Sequence, residues 1–313
     1  MQDCAIVVEG LVKRFGEVKA LAGIDFTVRR GSILAVLGHN GAGKTSLIDI
    51  LSTRAKPTAG HASVCGFDVV RSAKQVRRRI GVTGQFAALD DAVSARENLV
   101  VLARLLGADR QQARTRADEL LDLFDLTAYA DRPARLCSGG LRRRLDLAAS
   151  LVGTPQVLFL DEPSTGLDPV SRSGLWETVA ALAGDGTTVV VTTQYLEEAD
   201  RLADEVIVLG LGHITLAGTP AHLKSQLGSQ VVSLTVKDSL DADRLLGRIT
   251  EWGLGVDRPT ALTITVAVTG PADIVGLVRI TDAESISLSG FTVTEPSLDD
   301  VYRSVHRSMV VAT

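Results

Sequence analysis

Gly38-His39-Asn40-Gly41-Ala42-Gly43-Lys44-Thr45-Ser46 follows the pattern G-x-x-x-x-G-K-[ST]. Its flanks decide what it means. Ile33-Leu34-Ala35-Val36-Leu37, just before it, is a short apolar run of the kind a buried parallel strand requires. After Lys44, the run Thr45-Ser46-Leu47-Ile48-Asp49-Ile50-Leu51 places its apolar residues at helical spacing. Strand, glycine loop and helix together predict a phosphate cradle. Glycines let the backbone turn its N–H groups inward, and the helix N-terminus adds a favourable dipole. Lys44 is predicted to reach the β- and γ-phosphates, and the Thr45 hydroxyl to bind Mg²⁺.

A second stretch belongs with the first. Val157-Leu158-Phe159-Leu160-Asp161-Glu162 is four apolar residues ending on two carboxylates. A buried strand of this kind aims its acids at the ligand crevice of an α/β sheet, whereas a strand ending on solvated acids carries no chemistry. Beside a phosphate loop the first reading is favoured. Asp161 then suits a Mg²⁺ partner and Glu162 a base for the attacking water.

Composition sets the frame. The chain has 313 residues, room for one large α/β domain and a smaller one. It is 45% hydrophobic and 22% charged, with a net charge of −4 and no basic tail, which gives no support for nucleic-acid binding. Cys4, Cys65 and Cys137 are scattered and lack metal spacing, so they read as reduced thiols. The N-terminal residues have no signal-peptide pattern, and no run approaches the ~18 apolar residues of a membrane span.

The remaining segments fill in the plan. Ala5–Val8, Leu11–Gly16 and Ile24–Val28 read as short antiparallel strands. Phe15 either stacks on a base or fills the core. Arg77-Arg78-Arg79 reads as a solvated helix face, leading into a strand that ends at Gln85. From Asp90 to about Val152 the texture is helical, with Ala117, Leu120, Leu121 and Phe124 on one face. Asp131-Arg132-Pro133 breaks it, and Ser138-Gly139-Gly140 precedes a helix as a second possible phosphate cradle. Thr188–Thr193 and Val206–Leu209 are further strands. From about Ser229, strands near Val231–Val236, Val256, Leu262–Val268 and Ser285–Thr294 alternate with helices over Asp241–Trp252 and Pro271–Asp282. That order predicts a β-α-β-β-α-β unit, the ferredoxin-like arrangement, followed by a short helix capped by Ser297.

Taken in order, these motifs resemble the ATP-binding subunit of ABC transporters. Gly38, Asn40, Gly41, Ala42, Gly43, Lys44, Thr45 and Ser46 look like the Walker A loop, and Val157–Glu162 looks like Walker B with its catalytic glutamate. Gln85 resembles the Q-loop glutamine, which implies a place beside nucleotide and Mg²⁺. Ser138, Gly139 and Gly140 resemble the signature, and Ser164–Asp168 the D-loop. Phe15 falls where the family carries an adenine-stacking aromatic. The signature departs from Leu-Ser-Gly-Gly-Gln at Cys137 and Leu141, and Gln194 stands where the family has its switch histidine. Gln194, the wording Ser-Gly-Gly-Leu-Arg-Arg-Arg-Leu and the tail Pro296-Ser297-Leu298-Asp299-Asp300-Val301 are similar to the daunorubicin-resistance subfamily of drug or lipid exporters.

The resemblance implies an α/β fold with a P-loop ABC ATPase domain: a mixed sheet core with an antiparallel β subdomain and a helical subdomain at about 86–153. This domain is expected over 1–225, with a small α+β ferredoxin-like domain over 226–313. It implies an ATPase using ATP and Mg²⁺, with Thr45, Gln85 and Asp161 at the metal and Glu162, Lys44, Gln194 and Gln85 in catalysis. The expected partners are integral membrane permease subunits and a second copy of the chain, dimerised through the ATP sites with Ser138 and the N–H groups of Gly139 and Gly140 reaching a γ-phosphate across the interface; Asp168 is expected among the nucleotide-binding residues. The expected location is the cytoplasmic face of the membrane. The segment Phe86–Leu99 would receive a permease helix or is an ordinary surface loop, and Gln194 is either a neutral phosphate sensor or a degenerate switch. A non-transport cassette acting on ribosomes or DNA, or one regulated through its C-terminal domain, is the alternative function.

Overall fold

The computed structural model describes residues 3–83, 89–225, 230–295 and 297–303. The chain divides into two compact units, Met1–Ala217 and Gly218–Thr313.

The first unit opens with β1 (Cys4–Phe15), β2 (Val18–Arg29) and β3 (Ile33–Leu37), followed by α1 (Lys44–Leu51). Next come β4 (Ala59–Val64), β5 (Phe67–Asp68), α2 (Ala73–Arg77) and β6 (Ile80–Thr83). The helices α3 (Ala95–Leu105), α4 (Arg110–Leu123) and α5 (Gly139–Ser150) precede β7 (Val157–Asp161). The unit closes through α6 (Pro169–Gly184), β8 (Thr188–Thr193), α7 (Leu196–Leu202), β9 (Glu205–Gly210) and β10 (His213–Gly218), the last ending at the boundary.

Two sheets share one core. One is antiparallel, in the order β2-β1-β4-β5. The other runs β10-β9-β3-β8-β7-β6, and its pairs from β9 to β6 are parallel. Every residue of β3, β7 and β8 is buried, as covered parallel strands demand. Leu47, Ile50 and Leu51 of α1 pack with Ile6, Leu11 and Ile24 of the antiparallel sheet and with Val36 and Phe159 of the parallel one. Each such fully buried side chain contributes ~1.5–3 kcal/mol. That shared core fixes the start of α1, and therefore Lys44.

The three short strands expected at the N-terminus are two long ones. Ala5–Val8 and Leu11–Gly16 join into β1 because the ladder to β2 shifts register between Val8 and Leu11 rather than ending there. Gly10 N–H at that irregularity donates to Asp25 Oδ1 at 2.7 Å, which replaces a ladder bond. In the helical part, Ala117, Leu120, Leu121 and Phe124 are buried as their spacing predicts. Capping boxes at Ser94/Glu97 and Asp109/Gln112 start α3 and α4. The arginine run is not simply solvated: Arg77 and Arg78 are exposed, but the Arg79 guanidinium lies 4.3 Å from the Phe67 ring centre.

The second unit contains α8 (Pro220–Ser225), β11 (Gln230–Val236), α9 (Ser239–Glu251), β12 (Val256–Asp257), β13 (Thr263–Val268), α10 (Pro271–Ala283) and β14 (Leu288–Thr294). Its strands are ordered β12-β13-β11-β14, all neighbours antiparallel. That is the order of the expected β-α-β-β-α-β unit. Val232, Leu234, Ile264 and Val266 meet Leu245, Ile249 and Leu277 in a core of its own.

Candidate nucleotide site

The loop after β3 is shaped by what surrounds it. Gly43 has φ 109°, and a Cβ there would lie 2.3 Å from the carbonyl oxygen of Ala20 in β2, so no side chain fits. Gly41, at φ 85°, has open space where its Cβ would be and is one of the residues lining the cleft. Helix α1 begins without a side-chain cap, which leaves its first-turn N–H groups for another acceptor.

Lys44 is 5% exposed and its ammonium is fully engaged. Nζ donates to the carbonyls of Gly38 at 2.6 Å and His39 at 3.3 Å, and lies 3.3 Å from Glu162 Oε1. The carbonyl bonds aim the lysine along its own loop; the third contact joins it to the acid that ends β7. A cleft of about 340 Å³ opens at this point, lined by Ala20, His39, Asn40, Gly41, Gly43, Lys44, Thr45, Ser46, Asp161 and Glu162.

The two acids are held differently. Asp161 is buried, and its Oδ1 accepts a 2.6 Å bond from the Thr192 hydroxyl. Glu162 sits in the left-handed region at φ 47°, a conformation that costs a non-glycine residue roughly 1–3 kcal/mol. Its N–H donates to Thr192 Oγ1 at 2.9 Å and to the Thr192 carbonyl at 3.2 Å. From α5, Arg143 donates to the carbonyls of Pro163 at 2.8 Å and Asp161 at 3.2 Å. Burial lowers the Arg143 pKa, opposed by Asp146 and Asp161. Burial also pushes the Asp146 carboxyl up to about 6, against the pull of Arg143 and Arg142.

The other expected site residues that the structure describes are not among those lining this cleft. Phe15 is 57% exposed, with Lys13 Nζ 4.8 Å from its ring centre, so it is not a core residue. Ala42 is buried behind the loop. Ser138 caps α5, its hydroxyl accepting from Leu141 N–H at 3.4 Å, and Gly139 and Gly140 form the first turn. A Cβ on Gly140 would lie 3.1 Å from the Ser171 hydroxyl. Asp168 caps α6, accepting from the N–H groups of Val170 and Ser171 and from the Ser171 hydroxyl at 2.6 Å; the Ser171 bonds hold its carboxyl below the ordinary range. The start of α5 thus adjoins the Asp168 cap, and neither lines the Lys44 cleft. Gln194 is exposed just after β8, and Gln85 lies outside the described residues.

The sequence did not single out Thr192, Arg143 or Ala20. Arg143 lies in a quoted arginine run and Thr192 in a quoted strand, but both act through tertiary hydrogen bonds. Ala20 enters through its backbone. Asp91, an exposed acid, is paired with Arg142 of α5.

A loop that holds a buried lysine over a helix start, opposite two strand-ending acids, is chemistry for a nucleoside triphosphate with a divalent cation. The comparisons agree. Residues 21–165 match the ABC transporter family. A daunorubicin/doxorubicin resistance ATP-binding protein of Streptomyces peucetius is 44% identical, with 95% of this chain and 91% of that protein covered. The chain belongs to the ATP-binding subunits of ABC transporters, in the daunorubicin-resistance group. A daunorubicin resistance ATP-binding protein of Streptomyces coeruleorubidus is also 44% identical, with 96% of both chains covered. A Nod factor export ATP-binding protein of Ralstonia nicotianae is 42% identical over 76% of this chain and 74% of its own length. Among solved structures, a component of the cbiONQ ABC transporter complex from Clostridium perfringens matches with a TM-score of 0.66 and 25% identity, covering 80% of this chain and 99% of that one. The ABC cassette is therefore an ATPase subunit of the drug-resistance and exporter type. No helix among its described residues is long and apolar enough to cross a membrane.

Proposed function

We propose that this subunit powers export of a drug-like or lipid molecule through a separate integral membrane permease, bound peripherally on the cytoplasmic face. The observation that carries the reading is the meeting of Lys44 and Glu162 in the cleft beside Asp161. The names of its relatives, for resistance to daunorubicin and doxorubicin and for Nod factor export, support the class of cargo.

The residues fit MgATP. Lys44 exchanges its bonds to Gly38, His39 and Glu162 for β- and γ-phosphate oxygens. The first-turn N–H groups of α1 would donate to the phosphate chain, and Thr45, Asp161 and Gln85 would hold the cation. Mg²⁺ supplies charge neutralisation along the phosphates when bound. Glu162, turned into the cleft by its left-handed backbone, takes the proton of the attacking water. Phe15, exposed at the end of β1, is available to stack on the adenine. Ser138, Gly139, Gly140 and Asp168 act on the nucleotide of a second copy, so two chains close on two equivalent sites by C₂ symmetry.

Affinity capture of the tagged chain from detergent-solubilised membranes of its native host tests the partner. One or two polytopic membrane proteins are expected to co-purify. Ribosomal proteins in their place would overturn the assignment.

A further inference from the structure

Strand β8 reads Thr188-Val189-Val190-Val191-Thr192-Thr193, and every position is buried. Its last two residues face different tasks. Thr193 donates to Glu198 Oε2 at 2.6 Å and accepts from Tyr195 N–H at 3.0 Å, which ties down the turn carrying Gln194. Thr192 lies opposite Asp161 in the sheet register, and its side chain is wholly buried.

The Thr192 hydroxyl makes two bonds in opposite senses. It donates to Asp161 Oδ1 at 2.6 Å and accepts from Glu162 N–H at 2.9 Å. A hydroxyl has one proton. That proton is committed to Oδ1, so Asp161 is held as an acceptor with Oδ2 left for another partner. The same oxygen holds the Glu162 peptide, whose φ of 47° needs such support. Valine would fill the same space among the valines of this strand. Space alone therefore does not account for a hydroxyl that touches both acids.

We propose that Thr192 is a positioning residue of the ATPase site. Its hydroxyl orients Asp161 toward the cation and fixes Glu162 where it meets the attacking water. The inference rests on the roles given above to Asp161 and Glu162. Partners of this kind, one shell behind a metal ligand, typically change metal affinity or activity by ~10–100-fold when removed.

The test uses the purified full-length chain as wild type, Thr192→Val, Thr192→Ser and Glu162→Gln. Phosphate release is measured at saturating MgATP, and ADP affinity by calorimetry across a magnesium series and in EDTA. Thr192→Val is expected to lose turnover by about tenfold or more and to need about tenfold more magnesium for its ADP affinity to rise. Its ADP affinity in EDTA is expected to match wild type. Thr192→Ser keeps the hydroxyl and is expected to stay within about threefold of wild type in both. The Glu162 N–H retains the Thr192 carbonyl in Thr192→Val, so folding is expected to survive; Thr192→Ala carries the same prediction if it does not. Wild-type turnover and magnesium dependence in Thr192→Val would overturn the proposal. So would equal losses in Thr192→Ser, which would assign the effect to the methyl group. Normal turnover in Glu162→Gln would instead sink the reading of the whole site, whereas an inactive Glu162→Gln beside a normal Thr192→Val would remove Thr192 alone.

Discussion

Lys44 Nζ and Glu162 Oε1 lie 3.3 Å apart, although one opens α1, just after the β3 loop, and the other follows β7. The parallel sheet explains the contact: β3 and β7 both flank β8, so their C-terminal ends converge on one crevice. The pair is unequal in exposure, the lysine side chain 5% and the glutamate 29%. Glu162 is therefore the partner that can swing away when the ammonium takes a phosphate.

Lys44→Ala removes the cation at the centre of the cleft. Charge-assisted bonds of this type contribute ~1.5–3 kcal/mol each. Losing one or two to phosphate oxygens predicts ATP binding weaker by roughly 10–100-fold or more. Calorimetric titration with ATP checks it, and unchanged affinity would exclude Lys44 from phosphate binding.

Asp146 gives a pH dependence with a definite sign. Burial raises its carboxyl from the ordinary 3.8 to about 6, with Arg143 and Arg142 opposing and Asp91 adding to the rise. Between those values the folded chain holds a proton that the unfolded chain releases, so stability falls as pH rises through the window. Above it, the charged form carries the part of the burial cost that Arg143 and Arg142 do not offset. With solvent screening of this partly exposed group, Asp146→Asn is expected to be more stable than wild type by about 1 kcal/mol at pH 7–8, with the gap closing below pH ~4. Thermal melts at pH 4, 6 and 8 decide it. A gap independent of pH would mean that the carboxyl does not titrate in this window.

Gln194 follows the buried end of β8, on the turn braced by Thr193 and Glu198. A glutamine amide can donate to a phosphate but cannot become cationic. As a neutral sensor it predicts that Gln194→Ala loses most hydrolysis. Gln194→His is expected to retain much of it and to acquire a pH dependence near ~6–7, the imidazole range. Phosphate release measured from pH 5.5 to 8.5 is the readout, and equal rates for wild type and Gln194→Ala would remove the residue from the reaction.

The second copy has its own test. Ser138 and Asp168 cap α5 and α6 and are not among the residues lining the Lys44 cleft, so the proposed action on nucleotide is assigned to that of another chain. Glu162→Gln with ATP, at tens of micromolar protein, is expected to elute as a dimer from a sizing column. A strict monomer under those conditions would contradict the composite site.

The elements that carry the chemistry were legible because they are local. Ile33–Leu37 is apolar at every position and is buried at every position. The Ala117-Leu120-Leu121-Phe124 face likewise needs only helical spacing to be recognised. What the sequence hid is set by register. Thr192 touches Asp161 because β8 pairs with β7 at that residue, and a shift of one would turn its hydroxyl to the other face. Arg143 is indistinguishable from Arg142 and Arg144 until α5 packs and turns it onto the Asp161 and Pro163 carbonyls. The bulge that merges two expected strands into β1 depends on Asp25 of the neighbouring strand. Phe15 was ambiguous for a related reason: burial is decided by what packs on the β1 end, and little does.

In the proposed reaction, Glu162 activates water in a cleft where Lys44 holds the phosphates. Phosphate release by Glu162→Gln, with ATP binding measured on the same sample, tests it most directly. Retained ATP binding is expected, with hydrolysis slower by about 10²–10⁴-fold, the range of general-base catalysis. Turnover equal to wild type at full ATP occupancy would contradict it.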